Sequence, residues 1–345
     1  MSLGPLARLL ERDPYLSLLR AVFASCDAVA AQRAIARIPE ETLLRRLEND
    51  KLDAALLERL GDLPALLPAA TLERLRQRRQ SYLALNIVKR AEAEEELAAL
   101  AGAGIQAVVL KGLDLAWRVY PDPGLRPYTD VDLLIAPECL DRAEAVMLAA
   151  GYHPTPETAE LRSKRAKWMD YQYVHPESEV MIEIHVELLH PGRFTLDHPA
   201  ILARSEGGFL APADRFLHLA LHLAKHTYFD RLLWVYDLVL LAGQDLPQAR
   251  VAELTAAAGG KKAVWLGLRL AREVFGAQLP ELEAAVRPGR LAGWLLETSL
   301  CRYGRHATGL NARLLQFQLF DHWRPAARYS AARTWRKLSG SKAGW

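Results

Sequence analysis

The chain has 345 residues, of which 51% are hydrophobic and 25% charged, and its formal net charge is +3 at pH 7. These values are ordinary for a globular protein with a sizeable core, and only three cysteines argue against a disulfide framework and for a reducing compartment. The longest apolar run, residues 232–243, contains Asp237 and is too short to span a bilayer, and no signal-peptide pattern is apparent, so a cytoplasmic protein is expected.

Residues 1–100 repeat apolar side chains at helical spacing, beginning with Leu6, Leu9 and Leu10. This periodicity predicts an N-terminal helical lobe over residues 1–100. Its last helix is expected from about residue 71 to residue 100, because Gly102-Ala103-Gly104 is a typical helix end. A cluster of acids near that end is interpreted as a solvated face: Glu92, Glu94, Glu95 and Glu96.

A small core of strands and helices is predicted over residues 101–205. Ile105–Leu110 has the pattern of a buried strand, and a second strand holds Asp130-Val131-Asp132 within an apolar run. A hairpin with its loop at Pro176–Glu179 leads into a later strand that contains Glu183. Together these elements predict an α+β fold, in which a small mixed sheet of four or five strands is flanked by N- and C-terminal helical lobes.

Three carboxylates in this predicted core point to a bound cation. Because strand side chains alternate, Asp130 and Asp132 share one face while Val131 and Leu133 face a core, and Glu183 alternates with isoleucines in the same way. Two carboxylates about 4 Å apart repel by roughly 4 kcal/mol at an effective dielectric near 20. A divalent cation relieves that repulsion, and oxygen ligands shared with substrate phosphates suit Mg²⁺. The competing interpretation is a half-exposed strand whose polar face happens to carry acids.

Three histidines of a later helix share one face, because His218, His222 and His226 are spaced by four. This spacing can bind zinc, but no glutamate follows the first histidine and no clustered cysteine supplies further ligands. The favoured interpretation is a packed or cleft-facing stripe, with His222 or Lys225 near the sheet as a support or a substrate contact. Asp237 is expected to be a buried partner of one of those side chains.

The C-terminal helical lobe is predicted over residues 206–345 and ends in a basic, aromatic tail. Within residues 301–345, nine Arg or Lys residues face one acid, Asp321. Such a segment can bind nucleic acid through phosphate pairing and base stacking. It also suits an anionic membrane surface, an acidic protein or peptide partner, or a packed helix with a basic outer face. Its aromatic residues are Tyr303, Phe317, Phe320, Trp323, Tyr329, Trp335 and Trp345.

The chain has no Walker-type Gly-Lys-Ser/Thr loop, no Gly-x-Ser-x-Gly elbow and no paired CxxC, so NTPase, hydrolase and zinc-ribbon functions lack support. The motifs that remain are Lys111-Gly112 after a strand, then Asp130-Val131-Asp132, then Glu183-Ile184-His185. In this order they resemble the bacterial nucleotidyltransferase-like family of the DNA polymerase β superfamily. The likeness covers roughly residues 80–245 and extends to the histidine helix.

The resemblance implies transfer of a nucleoside monophosphate from an NTP to an acceptor, with Mg²⁺ or Mn²⁺ held on three carboxylates. Asp130 and Asp132 would be metal ligands. Glu183 would be either the third ligand or the base that takes the acceptor's proton. His185, on the same strand face as Glu183, would orient the metal carboxylates or be a satisfied polar group at the sheet edge.

Lys111, Gly112 and Arg126 are the predicted nucleotide- and phosphate-binding residues. The superfamily usually follows its first strand with Gly-Ser or Gly-Gly, whereas this chain has Lys111-Gly112-Leu113. A lysine can serve as a point charge on a phosphate, and Gly112 permits close backbone approach. Arg126 lies between a turn and the second strand, where it would hold a phosphate oxygen or pair with a surface acid.

The acceptor is open at this point. A hydroxyl of a small molecule or of a peptide or protein is predicted first, and a toxin-type enzyme acting on tRNA or other RNA ends is the first alternative. A degenerate member that binds a nucleotide or a peptide without turnover is the second alternative. The missing serine after Gly112 favours that last possibility, whereas the presence of all three carboxylates opposes it. The active cleft is expected between the sheet and the helix of His218–His226.

Overall fold

The computed structural model describes residues 4–61, 63, 66–164, 170–189, 192–226, 228–303, 309–327 and 329–330. Helices surround one small mixed sheet, so the predicted α+β class is confirmed. A π-helical turn at Arg20–Ser25 follows the second helix. The α-helices are α1 Pro5–Arg12, α2 Pro14–Leu19, α3 Ala28–Ile35, α4 Glu40–Asp50, α5 Asp53–Leu60, α6 Ala69–Gly102, α7 Lys111–Arg118, α8 Leu140–Ala149, α9 Pro156–Ser163, α10 His198–Arg204, α11 Pro212–Lys225, α12 Leu233–Ala242, α13 Gln248–Ala258, α14 Lys261–Phe275, α15 Pro280–Val286, α16 Arg290–Tyr303 and α17 Gly309–Gln318.

The sheet has five strands in the order β1-β2-β5-β4-β3. Strands β2 and β5 are parallel neighbours at its centre, while β1 pairs with β2, β4 with β5, and β3 with β4 in antiparallel fashion. The predicted hairpin therefore forms, with β4 and β5 as its two arms. The strands are β1 Ala107–Leu110, β2 Val131–Ile135, β3 His153–Pro154, β4 Asp170–Val174 and β5 Met181–His185.

Two apolar clusters stabilise the described part of the chain. The larger one is built from helices of both ends of the chain, because α1 packs against α14 and α16 while α2 packs against α14. The smaller one lies between the sheet and helices α6 and α8, and it includes Ala93, Leu100, Leu133, Ile184 and Met147. The predicted division at residues 1–100, 101–205 and 206–345 stays a prediction, and helices from the first and third parts share one core.

The long helix α6 fixes the loop that leads into β2. Buried Asn86 donates from its Nδ2 to the carbonyl oxygens of Pro123 at 2.8 Å and Arg126 at 3.0 Å. In return, the Tyr128 hydroxyl donates to the Asn86 carbonyl oxygen at 3.1 Å. Because these bonds hold both ends of residues 123–128, the segment enters β2 in a defined register.

Part of the basic, aromatic tail packs onto the C-terminal helices. Phe320 is 4% exposed and stacks on Phe194, whereas Trp323 is 70% exposed. Residues 304–308, 328 and 331–345, including Trp335 and Trp345, lie outside the described residues, so the nucleic-acid interpretation of the tail stays a prediction. Within the described ranges, no helix is both long and apolar enough to cross a membrane.

Candidate active site

The parallel pairing of β2 and β5 creates a compact acidic centre. Its register sets Asp132 beside Glu183 and Leu134 beside His185. The His185 Nε2 atom lies 2.8 Å from Asp132 Oδ1 and 3.0 Å from Glu183 Oε2. All three residues are buried, and one candidate ligand atom from each lies within 4.8 Å of the others. We call Asp132, Glu183 and His185 the acidic centre.

Lys111 closes the acidic centre from the first turn of α7. Its Nζ atom lies 2.6 Å from Asp132 Oδ1. Its backbone φ is 42°, a left-handed conformation that non-glycine residues seldom adopt and that concentrates at functional sites. The following Gly112 lies against Tyr128, since a Cβ atom added at Gly112 would come within 2.6 Å of the Tyr128 Cβ atom. The Lys-Gly pair thus has a packing requirement that the sequence analysis did not identify.

The charges of the acidic centre are mutually dependent. Burial raises the pKa of Asp132, but the Lys111 charge and the His185 hydrogen bond outweigh burial and hold that pKa well below its ordinary value. Burial and the Lys111 charge lower the pKa of His185, yet hydrogen bonds to Asp132 and Glu183 prevail and raise it to about 9. In this arrangement two carboxylates are therefore balanced by two cations.

A fourth carboxylate, Asp170, lines the same site and was missed by the sequence analysis. Strand β4 pairs Asp170 with His185 and Gln172 with Glu183. Gln172 donates from Nε2 to Glu183 Oε1 at 2.9 Å. Burial raises the pKa of Asp170 above its ordinary value. A signal existed in the sequence: residues equidistant from the predicted hairpin loop must pair, and this rule places Asp170 beside His185.

These residues open into a cleft of about 400 Å³. One wall is the acidic centre with Asp130, Asp170 and the Lys111-Gly112 turn. The opposite wall comes from the end of α11 and the start of α12. Its main side chains are those of His222, Lys225, His226, Arg231 and Trp234.

A family model described as an uncharacterised nucleotidyltransferase matches residues 37–276, well over half of the chain. The chain belongs to that nucleotidyltransferase family. No curated protein and no solved structure matches the chain. The family match supports nucleotidyl transfer as the general activity, and it spans the acidic centre, the cleft and both of its walls.

In this member of the family, the predicted site residues are only partly brought together. Asp132 and Glu183 lie in the acidic centre, and His185 contacts both of them directly instead of lying outside them. Asp130 lines the cleft but is not part of that compact group. Burial, followed by repulsion from Asp132, raises the pKa of Asp130.

Arg126 is held by an acid that the sequence analysis assigned elsewhere. Its Nε and Nη2 atoms donate to the two carboxylate oxygens of Asp237 at 2.9 and 2.8 Å, and the Tyr120 hydroxyl donates to the same carboxylate at 2.8 Å. The expectation that Asp237 pairs with a side chain of the histidine helix is wrong. The loop before β2 brings Arg126 to α12, the helix that contains Asp237. Arg126 is also one of the residues that line the cleft, and its phosphate role stays a prediction.

The histidine stripe packs against Trp234 instead of forming a metal site. The ring centroids of His222 and His226 lie 5.0 and 4.7 Å from that of Trp234. Among the described residues, the acidic centre is the one group of three or more potential ligands. His218 is buried, and its Nε2 atom has no hydrogen-bond partner within the described part of the chain.

The donor set of the acidic centre fits a divalent metal. Carboxylate oxygens suit Mg²⁺, and an added imidazole nitrogen is equally acceptable to Mn²⁺. The position is already selective for positive charge, because Lys111 Nζ lies 2.6 Å from Asp132 Oδ1. The residues that would hold the metal are therefore Asp132 and Glu183, with Asp130 and His185 adjoining them.

Proposed function

We propose that the protein is a metal-dependent nucleotidyltransferase that moves a nucleoside monophosphate from an NTP to an acceptor hydroxyl and releases pyrophosphate. The observation that carries the proposal is the parallel register that sets Asp132 beside Glu183 at the floor of the cleft. Lys111 and His185 balance the charges of these two buried carboxylates, and a divalent cation bound by the same oxygens could replace the two internal cations. The family match supports the reaction class.

Divalent metal ions, when bound, would neutralise the charge that develops on the transferred phosphoryl group. Asp132 and Glu183 would supply metal ligands, and Asp130 would supply a further carboxylate from the same wall of the cleft. Glu183 is assigned as a ligand instead of a base, because His185 and Gln172 already engage both of its oxygens. Mg²⁺ and Mn²⁺ are both compatible with this set.

Lys225 and Arg231 are the cations of the opposite wall that are placed to bind the triphosphate. The Lys225 side chain makes no hydrogen bond or ion pair with any other described residue. Burial lowers its pKa, and a bound phosphate would oppose that shift. On the other side of the cleft, Lys111, Gly112 and Arg126 line the space that the phosphates would occupy.

Asp170 is the carboxylate available to take the proton of the acceptor hydroxyl. It lines the cleft and is paired with His185 across the β4–β5 ladder. No hydrogen bond to another described residue occupies its carboxylate. In contrast to Glu183, it can therefore receive a proton without breaking an internal contact.

The acceptor is proposed to be a hydroxyl of a small molecule or of a peptide or protein. The cleft is about 400 Å³, which is at the small end of ligand sites. A nucleotide fills most of such a volume, so the acceptor must offer its hydroxyl from the rim. An RNA end meets the same geometric requirement and is distinguished by experiment.

The test is incubation with each of four labelled NTPs and Mg²⁺ or Mn²⁺, together with a lysate separated into RNA, protein and small-molecule fractions. The Asp130→Ala/Asp132→Ala variant is the control. Label transferred to one fraction by the wild type alone would establish the reaction and identify the acceptor class. NTP binding without transfer to any fraction would favour a degenerate binding protein, and absence of NTP binding would rule out nucleotidyl transfer.

A further inference from the structure

The outer face of α6 carries an apolar stripe that no described element covers. Ala84, Ile87, Val88 and Ala91 are all exposed and recur at the three- and four-residue spacing of one helix face. Ile87 is 51% exposed and Val88 is 47% exposed. The packing contacts of α6 with α5, α8 and β1 are made from its other face, which buries Leu75, Ala93 and Leu100.

The two ends of α6 carry opposite charge. Residues 69–80 contain four arginines and one glutamate, whereas residues 91–102 contain four glutamates and no Arg or Lys. Within one helix this arrangement opposes the macrodipole, which favours acids at the N-terminus and cations at the C-terminus. The pattern therefore does not stabilise the isolated helix.

Most of these charges have partners within the chain. Two exposed charges on the outer face, those of Arg76 and Glu95, have a weak partner or none among the described residues. Three of the arginines reach α4, α5 or the loop before β2 through ion pairs. Arg76 has only a 3.5 Å contact with Glu73, and both side chains are more than half exposed. Glu95 is exposed and forms no ion pair or hydrogen bond within the described residues.

We propose that the outer face of α6 is an antiparallel interface with a second copy of this chain. A twofold axis that crosses the outer face midway along the helix between residues 76 and 95 would place Arg76 opposite the partner's Glu95, and the same pair would form again across the axis. The stripe of Ala84, Ile87 and Val88 would then lie against itself at the centre. Two such ion pairs around a small apolar centre make the surface complementary in charge to itself.

The size of the surface predicts a weak, reversible dimer. With a rise of about 1.5 Å per residue, the 34-residue helix is about 51 Å long. A single pair of helices covers less area than the roughly 1,200–2,000 Å² buried in most stable complexes. The ion pairs are exposed at the rim, so association should weaken as salt concentration rises.

Sedimentation velocity over a wide range of protein concentration tests the proposal on the full chain. The wild type is expected to shift from monomer to dimer as concentration rises. Val88→Glu should abolish that shift. Leu85→Glu should retain it, because Leu85 is also exposed but lies roughly 110° around the helix from the stripe centre, at 100° per residue.

A charge exchange tests the register. Arg76→Glu and Glu95→Arg should each weaken the dimer at least tenfold by opposing like charges, and the double variant should restore it. Thermal unfolding of each variant confirms that the monomer is folded, since all these positions are exposed. A wild type that stays monomeric at every concentration, or a double variant no tighter than the single ones, would overturn the proposal.

Discussion

Two ionic networks in the described part of the chain differ in what surrounds them. At the acidic centre, Lys111 Nζ and His185 Nε2 both meet Asp132 Oδ1, at 2.6 and 2.8 Å, and the group faces the cleft. In the second network, Arg126 holds Asp237 through two hydrogen bonds, and Asp237 is 0% exposed. We call this second network the arginine clamp. Both networks are buried and have short contacts between their charged atoms. Only the acidic centre can exchange its internal cations for a bound metal.

The difference lies in the freedom of the cations. The Lys111 side chain is 17% exposed and can swing into the cleft, and an imidazole can lose its proton. A guanidinium does neither, since it stays charged in proteins and its planar fork matches one carboxylate. The acidic centre is thus arranged to give up its internal cations to a metal and a substrate, whereas the arginine clamp holds the loop before β2 over α12.

The largest expected effect comes from removing the acid of each network. Asp237→Asn should destabilise the fold by about 3–5 kcal/mol, because it leaves the Arg126 charge buried without a carboxylate. Asp132→Asn should cost about 1 kcal/mol or less, because Lys111 can reach water and His185 can deprotonate. Urea unfolding of the two variants measures the difference.

Activity should show the reverse order. Asp132→Asn is expected to abolish nucleotidyl transfer, while the folded fraction of Asp237→Asn should retain measurable transfer, because its acidic centre is intact. Equal losses of stability in the two variants would remove the distinction between the networks. Full transfer by Asp132→Asn would exclude the acidic centre from the reaction.

A smaller effect separates the two cleft lysines. In the absence of divalent metal, Lys225→Met should weaken NTP binding about tenfold, equivalent to about 1.4 kcal/mol, because no hydrogen bond or ion pair with a described residue holds its ammonium group. Lys111→Met should have less effect, since Lys111 must leave Asp132 before it can contact a phosphate. Isothermal titration of each variant with NTP makes the measurement. A greater loss for Lys111→Met would assign the phosphate contact to the Lys-Gly turn.

Alternation and turn chemistry account for what the sequence predicted. The apolar neighbours of Asp132 and Glu183 specify which way each carboxylate points, so both strands and their common face could be predicted. The order of the strands in the sheet could not be predicted, because pairing of β2 with β5 depends on contacts between segments about fifty residues apart. The partner of Arg126 was missed for the same reason, as Asp237 is 111 residues away. The expectation that Asp237 is buried was correct, but the partner expected for it lay on the histidine helix instead of at Arg126.

The smallest effect concerns a buried acid that has no cation of its own. Glu96 on α6 is 5% exposed, and its Oε2 atom has no hydrogen-bond partner within the described residues. Burial, with repulsion from Glu95 and Glu92, raises its pKa to about 7. The ordinary pKa of glutamate is about 4.3, so between these values the folded state binds more protons than the unfolded state. Stability should therefore fall as pH rises through this window and stay reduced above it.

Glu96→Gln should remove this loss, because a neutral amide needs no counter-ion. We expect the variant to be about 1 kcal/mol more stable than the wild type near pH 8, with the difference shrinking near pH 5. Glu94→Gln is the matched control, because Glu94 is exposed and pairs with Arg90 at 2.6 Å. Urea unfolding at both pH values decides the matter. A wild type and Glu96→Gln variant with the same pH dependence would mean that Glu96 is solvated or paired, and that its burial costs no stability.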